Sequence, residues 1–361
     1  MLLACTRNAG RWQIAAACFK KHAGPSRSRA ISIGVAAALA ATAMAGAQAP
    51  SPTLLGGRPL AHAHNAYPED GQWSDRIDRA LALPQRPLVI EQDLALSGAQ
   101  QSVVSHDAEL SGSEPTLEQH FFARVRPIVE RAIQAGDSWD RPLLVLHLDF
   151  KTNQRAHHRA VWDLLVRHES WLTTVPSGGG ALKRGPLLVL TENGEDQERD
   201  FTEWANAHGS FLLFGSIPSA VLASSDDAAE RARILRSATP DVLVPSRATT
   251  YRRWVNFSWG AVEEGGPSRA GAWTAEDRAR LVSLVDRAHQ QGLLVRFYTL
   301  NGHSAAANRG WTASYNFGSL DAVRQRWHAA IDTGVDLIAT DQPGELTAVL
   351  QTAARPAAKP W

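Results

Sequence analysis

Residues 87–96 read PLVIEQDLAL and residues 142–151 read PLLVLHLDFK. Each is a short apolar run broken by polar residues at spacing two: Glu91 and Asp93 in the first, His147, Asp149 and Lys151 in the second. On a β-strand that spacing puts side chains on one face. Two carboxylates on one face of an otherwise apolar strand are costly inside a protein unless something neutralises them. A hard divalent cation with oxygen ligands would do so. A salt bridge from one carboxylate to an arginine, with the other exposed, is the plainer solution, and the two strands leave both open. Asp149 and Lys151 add a third carboxylate and a cation to the same layer, which favours a metal. A Lys–Asp pair that only fills the space is the alternative there.

Working outward, the same kind of apolar run recurs along the chain: RPLAHAH (58–64), PLLVLT (186–191), FLLFGS (211–216), DVLVPS (241–246), LLVRFYTL (293–300) and VDLIAT (335–340). Runs of four to eight apolar residues are the pattern of strands buried on both faces. Helical periodicity lies between them, over 74–83, 117–135, 155–171, 275–291 and 320–333. Thr274 and Ser319 stand as N-caps, and Gly136, Gly292 and Gly334 as stops. Eight strands alternating with helices predict a single (β/α)₈ barrel over 58–351. A doubly wound sheet would need a glycine-rich phosphate turn after its first strand, and HAHNAY (62–67) is not one.

The ends read differently. Residues 1–47 carry six basic residues and no acidic one, then an Ala-rich apolar run from about Ile31 to Ala45, then Ala45-Gly46-Ala47. That is the pattern of a cleaved secretory signal peptide, with an uncleaved anchor as the alternative. Residues 48–57 read as a linker and 352–361 as a disordered tail. Both cysteines, Cys5 and Cys18, fall in the leader. The remainder has no disulfide or thiolate chemistry, and a periplasmic or secreted location is expected. Removing the leader's six basic residues from 37 leaves 31 against 36 acidic, a net of −5. A net negative protein does not attract nucleic acid or an anionic membrane, so neither is expected as a partner. The leader's apolar run of about 15 residues is short for a membrane span, so none is expected in the mature form.

His62, His64 and His106 complete the polar set. His62 and His64 flank the end of the first strand, and His106 follows QQSVVSHD (100–107), which reads as a hairpin partner of the Glu91 strand. His-x-His also occurs in zinc hydrolases. Those need further His or Lys ligands on middle strands, and PLLVLT and FLLFGS offer none. The set Glu91, Asp93 and Asp149 suits one Mg²⁺ or Ca²⁺ better and leaves histidines for acid–base work. Trp254, Trp259 and Trp311 lie near late strand ends, mostly as packing, and Arg247, Arg252 and Arg253 form a basic patch after the sixth expected strand.

In order and spacing the chain resembles the phospholipase-C-like phosphodiesterase superfamily. That group includes glycerophosphodiester phosphodiesterases, spider-type sphingomyelinases D and phosphatidylinositol-specific phospholipases C. The likeness runs over residues 58–347: a histidine, Glu-x-Asp about 30 residues later, Ser105-His106-Asp107, Asp149-Phe150-Lys151, and a terminal GVDLIATDQPGEL (334–346). HAHNAY and HLDFKT are most similar to the branch of the altered-inheritance-of-mitochondria protein 6. The resemblance implies a TIM barrel acting on a small-molecule or lipid phosphodiester, either by hydrolysis or by forming a cyclic phosphate. It makes His62 and His106 the acid–base pair and Glu91, Asp93 and Asp149 the metal ligands. His64, Asn65, Lys151, Tyr298 and Asn301 would contact substrate. A non-catalytic binding protein on a decayed barrel is the rival from another class; the intact set of two histidines and three carboxylates speaks against it.

Overall fold

The computed structural model describes residue 55 and residues 57–68, 74–192, 194–218, 227–264, 266–307 and 313–353. The leader, its cleavage site, nearly all of the linker, Trp311 and residues 354–361 of the tail lie outside them. Among the described residues no helix is long and apolar enough to cross a membrane.

The chain forms a closed (β/α)₈ barrel. Its strands are β1 (Leu60–Ala63), β2 (Leu88–Leu96), β4 (Leu144–Phe150), β5 (Leu187–Thr191), β6 (Phe214–Ser216), β7 (Arg252–Ser258), β8 (Leu294–Tyr298) and β9 (Leu337–Thr340). All neighbours pair in parallel in the order β1-β9-β8-β7-β6-β5-β4-β2, and β2 closes back onto β1. A ninth strand, β3 (Ser102–Val104), pairs antiparallel with the end of β2 as a hairpin, Leu94 opposite Val104. Helices α1 (Arg76–Leu81), α2 (Ala123–Gln134), α3 (Arg155–Arg167), α4 (Glu195–His208), α5 (Ala228–Ser237), α6 (Pro240–Leu243), α7 (Ala275–Gln290), α8 (Leu320–Thr333) and α9 (Pro343–Thr352) fill the connections.

Local chemistry fixes the helix ends. Thr274 accepts from the Asp277 amide while Asp277 reaches back, a reciprocal cap that starts α7. Ser319 caps α8, and Gly334 ends it in the left-handed region at φ 82°.

One expected strand is wrong. DVLVPS (241–246) is no strand: Pro240 occupies the first turn of α6, where its missing N–H costs nothing, and Val242 is exposed. The sixth barrel strand is RRWVNFS (252–258), whose charged start hides it. Arg252 and Arg253 are therefore strand residues and not a loop patch. Arg252 pairs with Glu198, and the buried Arg253 donates to the Thr250 carbonyl. Trp254 likewise sits within β7, fully buried. The helical stretches named from the sequence do not include α4, α5, α6 or α9.

A buried ion pair ties the segment after β7 to α8. Glu263 accepts from Arg326 Nε (2.8 Å) and Nη2 (2.6 Å) and from Trp259 Nε1 (2.6 Å). Phe317 and Trp273 cover the guanidinium at 4.9 and 5.8 Å. Removing one member of such a pair strands the other's charge. Glu263→Ala should therefore cost about 3–5 kcal/mol in urea denaturation. A loss below about 1 kcal/mol would show that the pair does not hold this connection.

Candidate active site

The polar residues inside the barrel stand in two layers, and strand pairing sets them. In the β2–β4 register Glu91 lies beside His147 and Asp93 beside Asp149. Gln92, between them in sequence, points the other way, and its Oε1 accepts from His120 Nδ1 at 2.6 Å. The alternation of a strand thus sends both carboxylates inward.

The lower layer is a closed ring of five side chains. Arg296 Nη2 donates to Glu91 Oε2 (2.7 Å) and Nη1 to Asn256 Oδ1 (3.0 Å). Asn256 Nδ2 donates to Glu192 Oε1 (3.0 Å), which His147 Nε2 also meets at 3.0 Å. His147 Nδ1 returns to Glu91 Oε1 at 3.2 Å. His62 hangs inside the ring: Arg296 Nε donates to its Nδ1 at 2.9 Å, and its Nε2 lies 3.6 Å from Glu91 Oε2.

Burial works against charge on Glu91, yet Arg296 and His147 prevail and hold its carboxyl well below the usual range. Burial also opposes charge on His147. Glu91, helped by the hydrogen bond to Glu192, raises it to about 9. Burial and then Arg296 lower His62 well below the ordinary imidazole value.

The upper layer holds Asp93, Asp149 and Lys151. The ammonium lies 2.7 Å from one oxygen of each carboxylate. Oxygens of Glu91, Asp93 and Asp149 come within 4.8 Å of one another. Burial and then Asp149 push Asp93 up to about 8, against the pull of Lys151. One ammonium thus leaves the pair under-neutralised. Three converging carboxylates with that deficit fit a hard divalent cation, and these three would hold it.

The rim is built where strands end. His64 follows β1, and its Nδ1 lies 2.9 Å from Asp341 Oδ1, directly after β9. Asn301 donates Nδ2 to Asp341 Oδ2 (2.6 Å) and accepts from the Asp341 amide (2.8 Å) and Thr340 Oγ1 (3.0 Å). Asn65, at φ 44°, offers its carbonyl to Arg76 (3.1 Å). Thr299, β-branched and at φ 66°, carries real strain between Tyr298 and Asn301. Tyr298 packs on Tyr315, 6.0 Å between ring centres. His106 is half-exposed after β3, and its pKa is lowered by burial and then by Lys151.

Glu91, Asp93, Asp149 and Lys151 thus come together inside the barrel with His62 beside Glu91, while His64, Asn65, His106, Tyr298 and Asn301 lie at or just past strand ends. The salt-bridge reading also has part of the truth, since Glu91 does pair with an arginine; Asp93, however, is buried. Arg296, Glu192, Asn256 and Asp341 escaped the sequence reading. The sequence pattern includes His147 but assigns it no role. Arg296 was the one charge in LLVRFYTL, and its inward parity was legible.

No family model matches the chain, and no curated protein does. Among solved structures it is similar to a glycerophosphoryl diester phosphodiesterase from Parabacteroides distasonis (15% identity, 82% of this chain and 87% of that one, TM-score 0.40). It is similar also to an Oleispira antarctica phosphodiesterase in complex with sn-glycerol-3-phosphate (13%, 82% and 98%, 0.40). A third is the Plasmodium falciparum HPPK-DHPS (10%, 81% and 46%, 0.38). The barrel stands on its own strand order and not on these likenesses.

A titration follows from the ring. His147 in the folded chain stays charged to about 9, above the unfolded value of about 6.5. Its stabilising contribution is complete below about pH 6.5 and is lost as pH rises through 9. Asp93, raised to about 8, acts in the same direction. In EDTA the melting temperature should fall between pH 6.5 and 9.5, and His147→Gln should flatten that fall. A melting temperature that rises over this range contradicts the assignment.

Proposed function

We propose that this chain is a metal-assisted phosphodiesterase acting at the barrel mouth. The observation that carries the reading is the convergence of Glu91, Asp93 and Asp149 beside Lys151 with histidines around them. When bound, Mg²⁺ or Ca²⁺ would supply charge neutralisation for the phosphoryl oxygens. Lys151 is placed to bind a phosphoryl oxygen as a point charge. The resemblance names His62 and His106 for the proton transfers. His106, half-exposed at the rim, can pass a proton to an alcohol that leaves toward solvent. Tyr298 and Tyr315 wall the rim beside them.

The motif order points to a glycerophosphodiester or a phospholipid head group, on the branch related to the altered-inheritance-of-mitochondria protein 6. An adjacent substrate hydroxyl would give a cyclic phosphate in place of hydrolysis. Export through the 1–47 leader is part of the same proposal, and N-terminal sequencing of secreted protein should read from near Gln48.

A panel of phosphodiesters assayed with Mg²⁺, Ca²⁺, Mn²⁺ or EDTA tests the activity. Turnover should require metal. Asp93→Asn should make activity depend on high added metal, and His106→Ala should lower kcat about 10²-fold or more. If no phosphodiester is cleaved under any metal, the reading fails and a binding protein takes its place.

A further inference from the structure

We infer that Arg296 fixes His62 as a hydrogen-bond donor toward a substrate oxygen, and that the proton-accepting histidine is His64, positioned by Asp341. The inference rests on the phosphodiesterase reading but moves the accepting role from His62, which the resemblance names, to His64 two residues on.

The argument is one of donors and acceptors. A guanidinium has five N–H donors and no acceptor. Arg296 Nε lies 2.9 Å from His62 Nδ1, so that nitrogen must present its lone pair. A proton there would set two donors head to head inside a buried ring. The one proton of a neutral His62 therefore sits on Nε2. Neither nitrogen then has a lone pair to offer a substrate proton. Nε2 is fully buried, has no hydrogen-bond partner among the described residues, and stands 3.6 Å from Glu91, a member of the carboxylate cluster. An Nε2–H in that place can donate to an oxygen of a phosphoryl group held at the cluster.

His64 has the opposite arrangement. Its Nδ1 faces Asp341 Oδ1 at 2.9 Å, and that carboxylate also receives Asn301 and Arg76. A carboxylate accepts, so Nδ1 carries the proton and Nε2 keeps the lone pair. This is the way a carboxylate sets the tautomer of a general base.

Histidine-selective ¹⁵N labelling tests this at pH 7.5, since long-range ¹⁵N–¹H spectra separate the two neutral tautomers. His62 should carry its proton on Nε2 and His64 on Nδ1, with signals assigned from His62→Gln and His64→Gln. Arg296→Gln should leave His62 a mixture. With bis(p-nitrophenyl) phosphate and Mn²⁺, His62→Gln keeps an amide donor and should stay within about 10-fold of wild type. His64→Gln should lose about 10²-fold or more. Asp341→Asn should lower kcat with little change in KM. An Nδ1–H tautomer at His62 in the wild type overturns the inference. So does a His62→Gln loss equal to or greater than that of His64→Gln. If no diester is turned over, the phosphodiesterase reading fails separately, and the wild-type tautomers still decide the role of Arg296.

Discussion

The rest of the site depends on one buried guanidinium. Arg296 reaches from β8 to His62 on β1, Glu91 on β2 and Asn256 on β7. An unpaired arginine in that position would cost several kcal/mol, so Glu91 is as much its counter-ion as a candidate ligand. Each bond it makes also fixes a partner: the ionised form of Glu91, the amide orientation of Asn256 and the tautomer of His62. Asn256 in turn orients Glu192, and Glu192 holds His147. Barrel closure and site geometry are therefore parts of one network, because its members come from five different strands and, with Glu192, from the end of a sixth.

Much of this was legible in the sequence, and the misses have physical causes. Strands buried on both faces read as apolar runs, so seven of the eight barrel strands announced themselves. RRWVNFS did not, because it opens on two arginines, which Glu198 and the Thr250 carbonyl satisfy, while Trp254 and Asn256 share its other polar contacts. DVLVPS looked like a strand because apolarity alone does not separate a strand from a short helix, and Pro240 was the contrary signal. In the site, spacing two found Glu91, Asp93, His147 and Asp149. The counter-charges of those acids and imidazoles lie on other strands, outside that spacing. Applied to LLVRFYTL, the same parity puts Arg296 and Tyr298 on the face shared with Glu91. Asp341 lay within the terminal GVDLIATDQPGEL motif but had no visible partner, since its contact with His64 spans 277 positions.

The rim shows why function concentrates at strand ends. Asn65 and Thr299 take up left-handed backbone just past β1 and just past β8. Each turn releases the chain from the sheet in time to aim the next polar group across the mouth. Thr299 keeps this conformation although it is β-branched, and its Oγ1 accepts from the Trp259 amide at 3.1 Å. The strain is carried by packing that the buried Trp259 and the Glu263–Arg326 pair supply from behind.

Two clusters could in principle draw a cation, and their charges separate them. The lower one, His62 with Glu91 and His147, sits in a ring that is already balanced: Glu91 and Glu192 against Arg296 and charged His147. Both nitrogens of His147 face carboxylates, and Nδ1 of His62 faces a guanidinium. Binding a metal through these imidazoles would mean stripping protons that the ring itself holds in place. A zinc site of the His-x-His kind is disfavoured for that reason. The upper cluster is short of positive charge, with two carboxylates and one ammonium, and burial drives Asp93 to about 8 in consequence. A cation there relieves a deficit, whereas below it would create an excess. The oxygen-rich site above and the neutral imidazole donor beneath it are then complementary. Under the proposed function, one layer would attract a phosphoryl group's charge through cations, and the other would offer it a hydrogen bond.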